Sequence, residues 1–140
     1  MTYAGMTGQG TTAVLTTNAI TGCVRSLTLP EFTQDKIDAS CLDTTGFMRY
    51  ISGDLTDPGE VQMEIIFDPT FDFDGIIGVS DTLTITFALG TSTNTTQATL
   101  SGTGFITNYS LPDMSTNTLA VANVTFAFDG STGPAFTPES

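Results

Sequence analysis

The 140-residue chain has no histidine and no tryptophan. Without histidine it lacks the commonest general base near neutral pH and the commonest nitrogen ligand for metals, so Ser/His and Cys/His nucleophile pairs are excluded. What remains for acid and base chemistry is carboxylates. A sugar-cleaving carboxylate pair is poorly served by a chain with no Trp and three Tyr. Cations are nearly absent as well: Arg25, Lys36 and Arg49 stand against fifteen acidic residues, for a net charge of −12. Attraction to a nucleic-acid backbone therefore has almost no source. The two cysteines, Cys23 and Cys41, form neither a CxxC knuckle nor a disulfide framework. A single bridge is arithmetically open, but two reduced, buried thiols are expected. There is no apolar run of bilayer length and no basic start followed by an apolar stretch, so the expectation is a soluble protein made in the cytoplasm.

What the chain does have is Thr, Ser, Gly and Asn in place of charge, with charged residues only 13% of the total. Thr is β-branched and suits a pleated, half-buried surface, whereas the good helix formers Lys, Arg, Gln and Glu are scarce. This favours an all-β fold, and the length suits one domain over residues 1–140. The first ten residues and the tail from Gly130 are rich in glycine, proline and small polar residues, and are expected as flexible arms. Phe136 is the one large apolar group of the second arm.

Between the arms, strands are expected wherever apolar residues alternate. Thr11 to Thr17 is a short candidate, and Cys23 to Leu29 places Cys23, Arg25, Leu27 and Leu29 on one side. Val61, Met63, Ile65 and Phe67 share a face opposite Gln62, Glu64 and Ile66, the period of a half-buried strand. Leu83, Ile85, Phe87 and Leu89 against Thr82, Thr84, Thr86 and Ala88 give the cleanest pattern. In Ala98 to Tyr109, Gly102 and Gly104 mark either a bulge or close approach of another backbone. Leu119 to Phe128 changes phase, which suggests a bulge near Ala122 and Asn123. Asp68 to Ile77 could open a short helix at Asp68 and Pro69, although Phe71, Phe73 and Gly75 favour turn or extended chain.

Residues 40–60 show no sustained alternation yet hold Phe47, Met48, Tyr50 and Ile51 in one cluster. A loop this long in a small domain is usually functional. Its apolar residues fit either docking on another subunit or folding back over the chain's own core.

Other patterns carry little chemistry. Asp68, Asp72 and Asp74 lack the full ligand set of a calcium loop and read as an exposed acidic turn. Gly102-Thr103-Gly104 lacks the third glycine of a dinucleotide loop, and the glycosylation triplets at Asn94, Asn108 and Asn123 are expected by chance in a Thr-rich chain. No catalytic residue, metal ligand or cofactor is nominated, and an enzyme is not expected.

Taken in order, GCVRSLTLPEF (22–32), IDASCLDTTGFMRYISGDLTDPGEVQMEIIFDP (37–69), LSGTGFITNYSLPD (100–113) and NVTFAFDGSTGPAF (123–136) resemble the major tail tube proteins of long-tailed, siphovirus-type bacteriophages. The resemblance implies an all-β subunit with a minor helical part, a β-sandwich or barrel. Six subunits would close a ring around a continuous inner β-barrel, and rings would stack into a tube with other tail proteins at its ends. It further implies a virion tail component, assembled in the host cytoplasm, through whose lumen DNA passes without specific binding. The long loop would contact the next ring through Phe47, Met48, Arg49, Tyr50 and Ile51. Gln62 and Glu64, the wet side of an otherwise apolar strand, are candidates for the lumen, and Phe136 for subunit contact. The competing reading is a monomeric or trimeric β-sandwich binding module, such as a capsid decoration or receptor-binding protein.

Overall fold

A computed structural model describes residues 7–17, 24–43, 45–70, 72–90 and 93–140. The strands are β1 (Thr12–Leu15), β2 (Val24–Thr28), β3 (Thr33–Asp38), β4 (Tyr50–Asp57), β5 (Glu60–Ile66), β6 (Ser80–Thr86), β7 (Thr99–Ser110), β8 (Val121–Phe128) and β9 (Ala135–Thr137). Seven of them form one antiparallel sheet in the order β1-β6-β7-β8-β5-β2, with β9 paired to β7 beyond the end of β8. β3 and β4 pair only with each other.

Each long strand turns alternate residues inward. Val61, Met63 and Ile65 of β5, Leu83 and Ile85 of β6, Leu100 and Ile106 of β7, and Val124, Phe126 and Phe128 of β8 meet in one buried cluster. Burying each large apolar side chain is worth about 1.5–3 kcal/mol, so this cluster dominates the stability of the sheet. β1 and β2 stand at opposite ends of the strand order, yet Leu15 of β1 and Val24 and Leu27 of β2 all pack on the same cluster. The sheet is therefore rolled around its own core, with its two edges facing each other but unjoined. The expected sandwich or barrel takes the form of one rolled, open sheet.

Several expectations need correction. No helix occurs among the described residues. Over 68–70 and 72–77 the backbone turns instead, because the Asp68 carboxylate accepts from the backbone N–H of Thr70 at 2.9 Å and that of Asp72 from Asp74 at 3.1 Å. Such Asx turns compete directly with helical hydrogen bonding. Phe73 stacks on Tyr109 at 4.7 Å and Ile76 is buried, which pins the segment to the core. In β2 the inward residues are Val24 and Leu27, because a bulge between Val24 and Ser26 shifts the alternation. β8 pairs with β5 in unbroken register, so there is no bulge at Ala122 and Asn123; Ala122 is simply the inward residue. The irregularity lies instead in β7, between Ile106 and Asn108, opposite Phe126 and Thr125 of β8. Of the two readings of the paired glycines, close approach holds: a Cβ on Gly104 would lie 2.0 Å from the Ala127 carbonyl oxygen. Residues 50–57 of the expected 40–60 loop are strand β4, and β3 had no counterpart in the alternation. Cys41 is exposed, not buried, and Cys23 lies outside the described residues.

Asp81 is the one buried charged or polar side chain among the described residues. Its carboxylate accepts from the backbone N–H of Thr17 at 3.0 Å and of Thr82 at 2.7 Å, tying the exit of β1 to β6. Asp81→Ala should cost about 1–3 kcal/mol, since a part-buried N–H loses its acceptor. Chemical denaturation checks this, with a midpoint unchanged from wild type as the contrary result.

Candidate assembly surface

β2 and β5 are neighbours in the sheet, with Thr28 opposite Gln62. The segment joining them is the β3–β4 ribbon, which makes this hairpin connection a projecting arm. At its root Gly59 takes φ +73°, and a Cβ there would sit 2.8 Å from the Glu31 carbonyl oxygen. Only glycine suits that combination of positive φ and close approach. The Asp57 carboxylate accepts from the Gly59 N–H at 2.9 Å and fixes the turn back into β5. Toward the tip, the Arg49 N–H donates to the Ser40 hydroxyl at 2.8 Å and the Ala39 N–H to the Arg49 carbonyl at 2.8 Å. The Asp38 carboxylate accepts from the Ser40 N–H at 2.9 Å. That bond and one from the Ser40 hydroxyl hold the Asp38 carboxyl below its ordinary pKa. Midway along, the Lys36 ammonium lies 3.8 Å above the Tyr50 ring.

The arm is ordered locally, and among the described residues β3 and β4 pair with no other strand. Every residue of β3 is exposed. Phe47 is 92% exposed and Leu55 85%, and Leu42, Met48, Tyr50 and Ile51 are exposed with them. The structure thus brings the five expected contact residues together: Phe47, Met48 and Arg49 at the tip, Tyr50 and Ile51 where β4 begins. Of the two readings of this segment, folding back over the core does not occur. The alternation-based reading missed Ile37 on β3, and it did not single out Leu42 or Leu55, although both lie in the unpatterned 40–60 stretch and are strongly apolar. An isolated two-stranded ribbon is marginal in water, and exposed apolar surface of this extent is unusual on a lone subunit.

Gln62 and Glu64 lie on the outward side of β5, away from the core. Pairing registers align Ser26, Glu64, Asn123 and Ser110 in one row across β2, β5, β8 and β7, and Thr28, Gln62, Thr125 and Asn108 in the next. On β6 and β7 the outward row continues as Thr82 opposite Thr103 and Thr84 opposite Ser101. The middle of this face is a lattice of hydroxyls and amides, bordered by Ile66 with Val121 and by Phe105 with Ala127, and Glu60 and Glu64 supply the carboxylates that β5 to β8 present on it. Much of the remaining negative charge sits on the arm and its root, at Glu31, Asp35, Asp38, Asp43, Asp54 and Asp57, beside Lys36 and Arg49.

Phe136 lies on β9, exposed, with its ring tilted against Phe87 at 6.2 Å. The last residues are fastened to 90–97: the Gly90 N–H donates to the Glu139 carboxylate at 2.8 Å, and the Thr95 and Thr96 N–H groups donate to the Ser140 carbonyl at 2.9 Å. Elsewhere, burial and then the Asp68 charge push the Tyr109 phenol above its ordinary pKa, while hydrogen bonds from Ser131 and Thr103 hold Asp129 below its own. These perturbations belong to structural contacts. Among the described residues no group of three or more Cys, Asp or Glu side chains is placed to hold a metal ion.

A family model described as "Phage tail tube, TTP, lambda-like" matches residues 6–132. No curated protein sequence matches the chain. Among solved structures, a chain of an extracellular contractile injection system, described as a PVC sheath/tube terminator in the extended state, superimposes with a TM-score of 0.66. The match covers 89% of this chain and 93% of that one at 17% identity, a likeness of fold.

Proposed function

Because the chain belongs to the lambda-like phage tail tube family, and is thus a structural protein of the virion tail, we propose that its copies close into six-membered rings that stack into a conduit for the genome. The observation that carries this reading is the β3–β4 arm, a ribbon whose large apolar residues stand exposed among the described residues. An apolar surface presented on a projecting element suits contact between successive rings, through Phe47, Met48, Arg49, Tyr50 and Ile51. Phe136 on β9 would meet a neighbouring subunit in the same assembly. Assembly would also cover the two open sheet edges at β1 and β2, a liability in an isolated sheet.

In this assembly the outward face of β5 lines the lumen, with Gln62 and Glu64 toward the DNA. Six copies at −12 give each ring a formal charge of −72. A lumen of hydroxyls and amides with a sparse set of carboxylates offers phosphates no cation to bind and a mild repulsion, so DNA slides. Other tail proteins would cap the tube ends, with assembly in the host cytoplasm.

Negative-stain electron microscopy of the purified protein over a range of concentration and salt tests this reading. Hollow tubes or stacked rings are expected, and higher salt should promote them by screening repulsion between acidic subunits. Monodisperse monomers or trimers under every condition would overturn it.

A further inference from the structure

The rolled sheet leaves a cleft of about 350 Å³ where its two edges face each other, lined by Ala13 of β1, Val24, Arg25 and Leu27 of β2, Leu29 just beyond it, and Phe87 after β6. Its walls are mainly apolar, and no arm residue lines it. Resting on the tube reading, we propose that this cleft is the seat for the arm tip of a second copy, which inserts Leu42 and Phe47 between the edges and sets Asp43 against Arg25.

Three independent features select that occupant. The first is charge. The arm and its root carry six carboxylates against two cations, and Arg25 is the sole cation elsewhere in the chain. One copy therefore repels another over most of its surface, and the cleft is where an acidic arm meets attraction as well as apolar walls. The second is apolar complementarity: among the described residues Leu42 and Phe47 are the most exposed large apolar side chains of the tip. The third is backbone. β1 and β2 are the terminal strands of the sheet order, so among the described residues each has one edge without a strand partner. The backbone of a tip entering between them finds amide and carbonyl groups to hydrogen-bond, in addition to side-chain pockets.

The exposed Cys41 beside Leu42 supplies a reporter for the test. In a Cys23→Ser background, Leu29→Cys places a thiol in the cleft wall, and Thr11→Cys gives a second lining position should Leu29→Cys impair assembly. Assembled protein is oxidised with copper-phenanthroline in air and run on a non-reducing gel. A ladder of covalent multimers that disappears with Cys41→Ser is expected. A ladder from Ser110→Cys, outside the cleft, and none from either cleft position, would place the arm elsewhere and overturn the seat while leaving the tube reading intact. If the unsubstituted protein forms no tubes, the reading beneath the proposal fails and the seat with it. Arg25→Glu should in addition raise the concentration needed for assembly at least tenfold, and Arg25→Glu with Asp43→Arg should restore it; failure of the pair to restore assembly would overturn the assigned contact.

Discussion

Replacing Gly104 by alanine is expected to lower the melting temperature by on the order of 10–15 °C, or to leave the protein insoluble. Gly104 sits in β7, opposite Phe128 of β8 and Asp81 of β6. A Cβ at this position would fall 2.0 Å from the Ala127 carbonyl oxygen and 2.9 Å from the Ala127 carbonyl carbon and the Phe128 Cα. All three obstacles are backbone, so no rotamer change relieves them, and β8 would have to move away from β7. That movement would draw Phe126 and Phe128 out of the core cluster they share with Leu83, Ile85 and Leu100. A penalty of about 4 kcal/mol or more is a large part of the roughly 5–15 kcal/mol that holds a domain together. Gly75→Ala is the control: a Cβ there meets nothing within 4 Å, so its change should stay within about 0.5 kcal/mol. Thermal unfolding followed by circular dichroism decides the matter, and a Gly104→Ala melting point within a few degrees of wild type would mean that β7 and β8 are not paired as described.

Phe47→Asp is expected to do the opposite, leaving the subunit folded and abolishing tubes. The side chain is 92% exposed in the subunit, so its replacement should change folding stability by no more than about 0.5 kcal/mol. In an assembled tube the same position would be dry, and an unpaired carboxylate buried there costs about 3 kcal/mol or more. That corresponds to a rise of more than about 100-fold in the concentration required for assembly. Phe47→Leu, which keeps an apolar group, should still form tubes. Sedimentation alongside electron microscopy separates the outcomes: tubes from Phe47→Asp at wild-type concentration would remove the arm from the assembly contact.

The two strands with strict alternation, β5 and β6, were legible because each buries one face and wets the other, so Val61, Met63, Ile65, Leu83 and Ile85 fall two residues apart. The same logic explains what was not legible. β3 reads TQDKID, with one large apolar residue, and neither it nor β4 buries a face; without burial there is no periodicity to see. β2 was recognised as a strand but misphased, since a bulge at Arg25 reverses the inward set and such a bulge depends on the partner strand β5. The helix suggested at Asp68 failed because two Asx turns use the same backbone donors that a first helical turn would need. For the arm, the lack of periodicity was itself the signal: large apolar residues outside any alternating pattern turned out to lie where nothing in the chain covers them. The cleft was invisible from sequence, because it is made by the curl that brings residues 11–13 opposite residues 24–29.

The strand order also has a bearing on the subunit's birth at the ribosome. β1-β6-β7 and β5-β2 are two partial sheets, and β8 is the strand that stitches them, paired with β7 along one side and β5 along the other. Because β8 (Val121–Phe128) follows β1 to β7 in the chain, all seven of those strands have to be translated before the halves can unite. The β3–β4 ribbon needs only sequence-local pairing and forms much earlier. A nascent chain thus presents its ribbon well before it owns a finished sheet; in the proposed assembly, premature polymerisation becomes a problem of timing, one that late closure by β8 would help to solve.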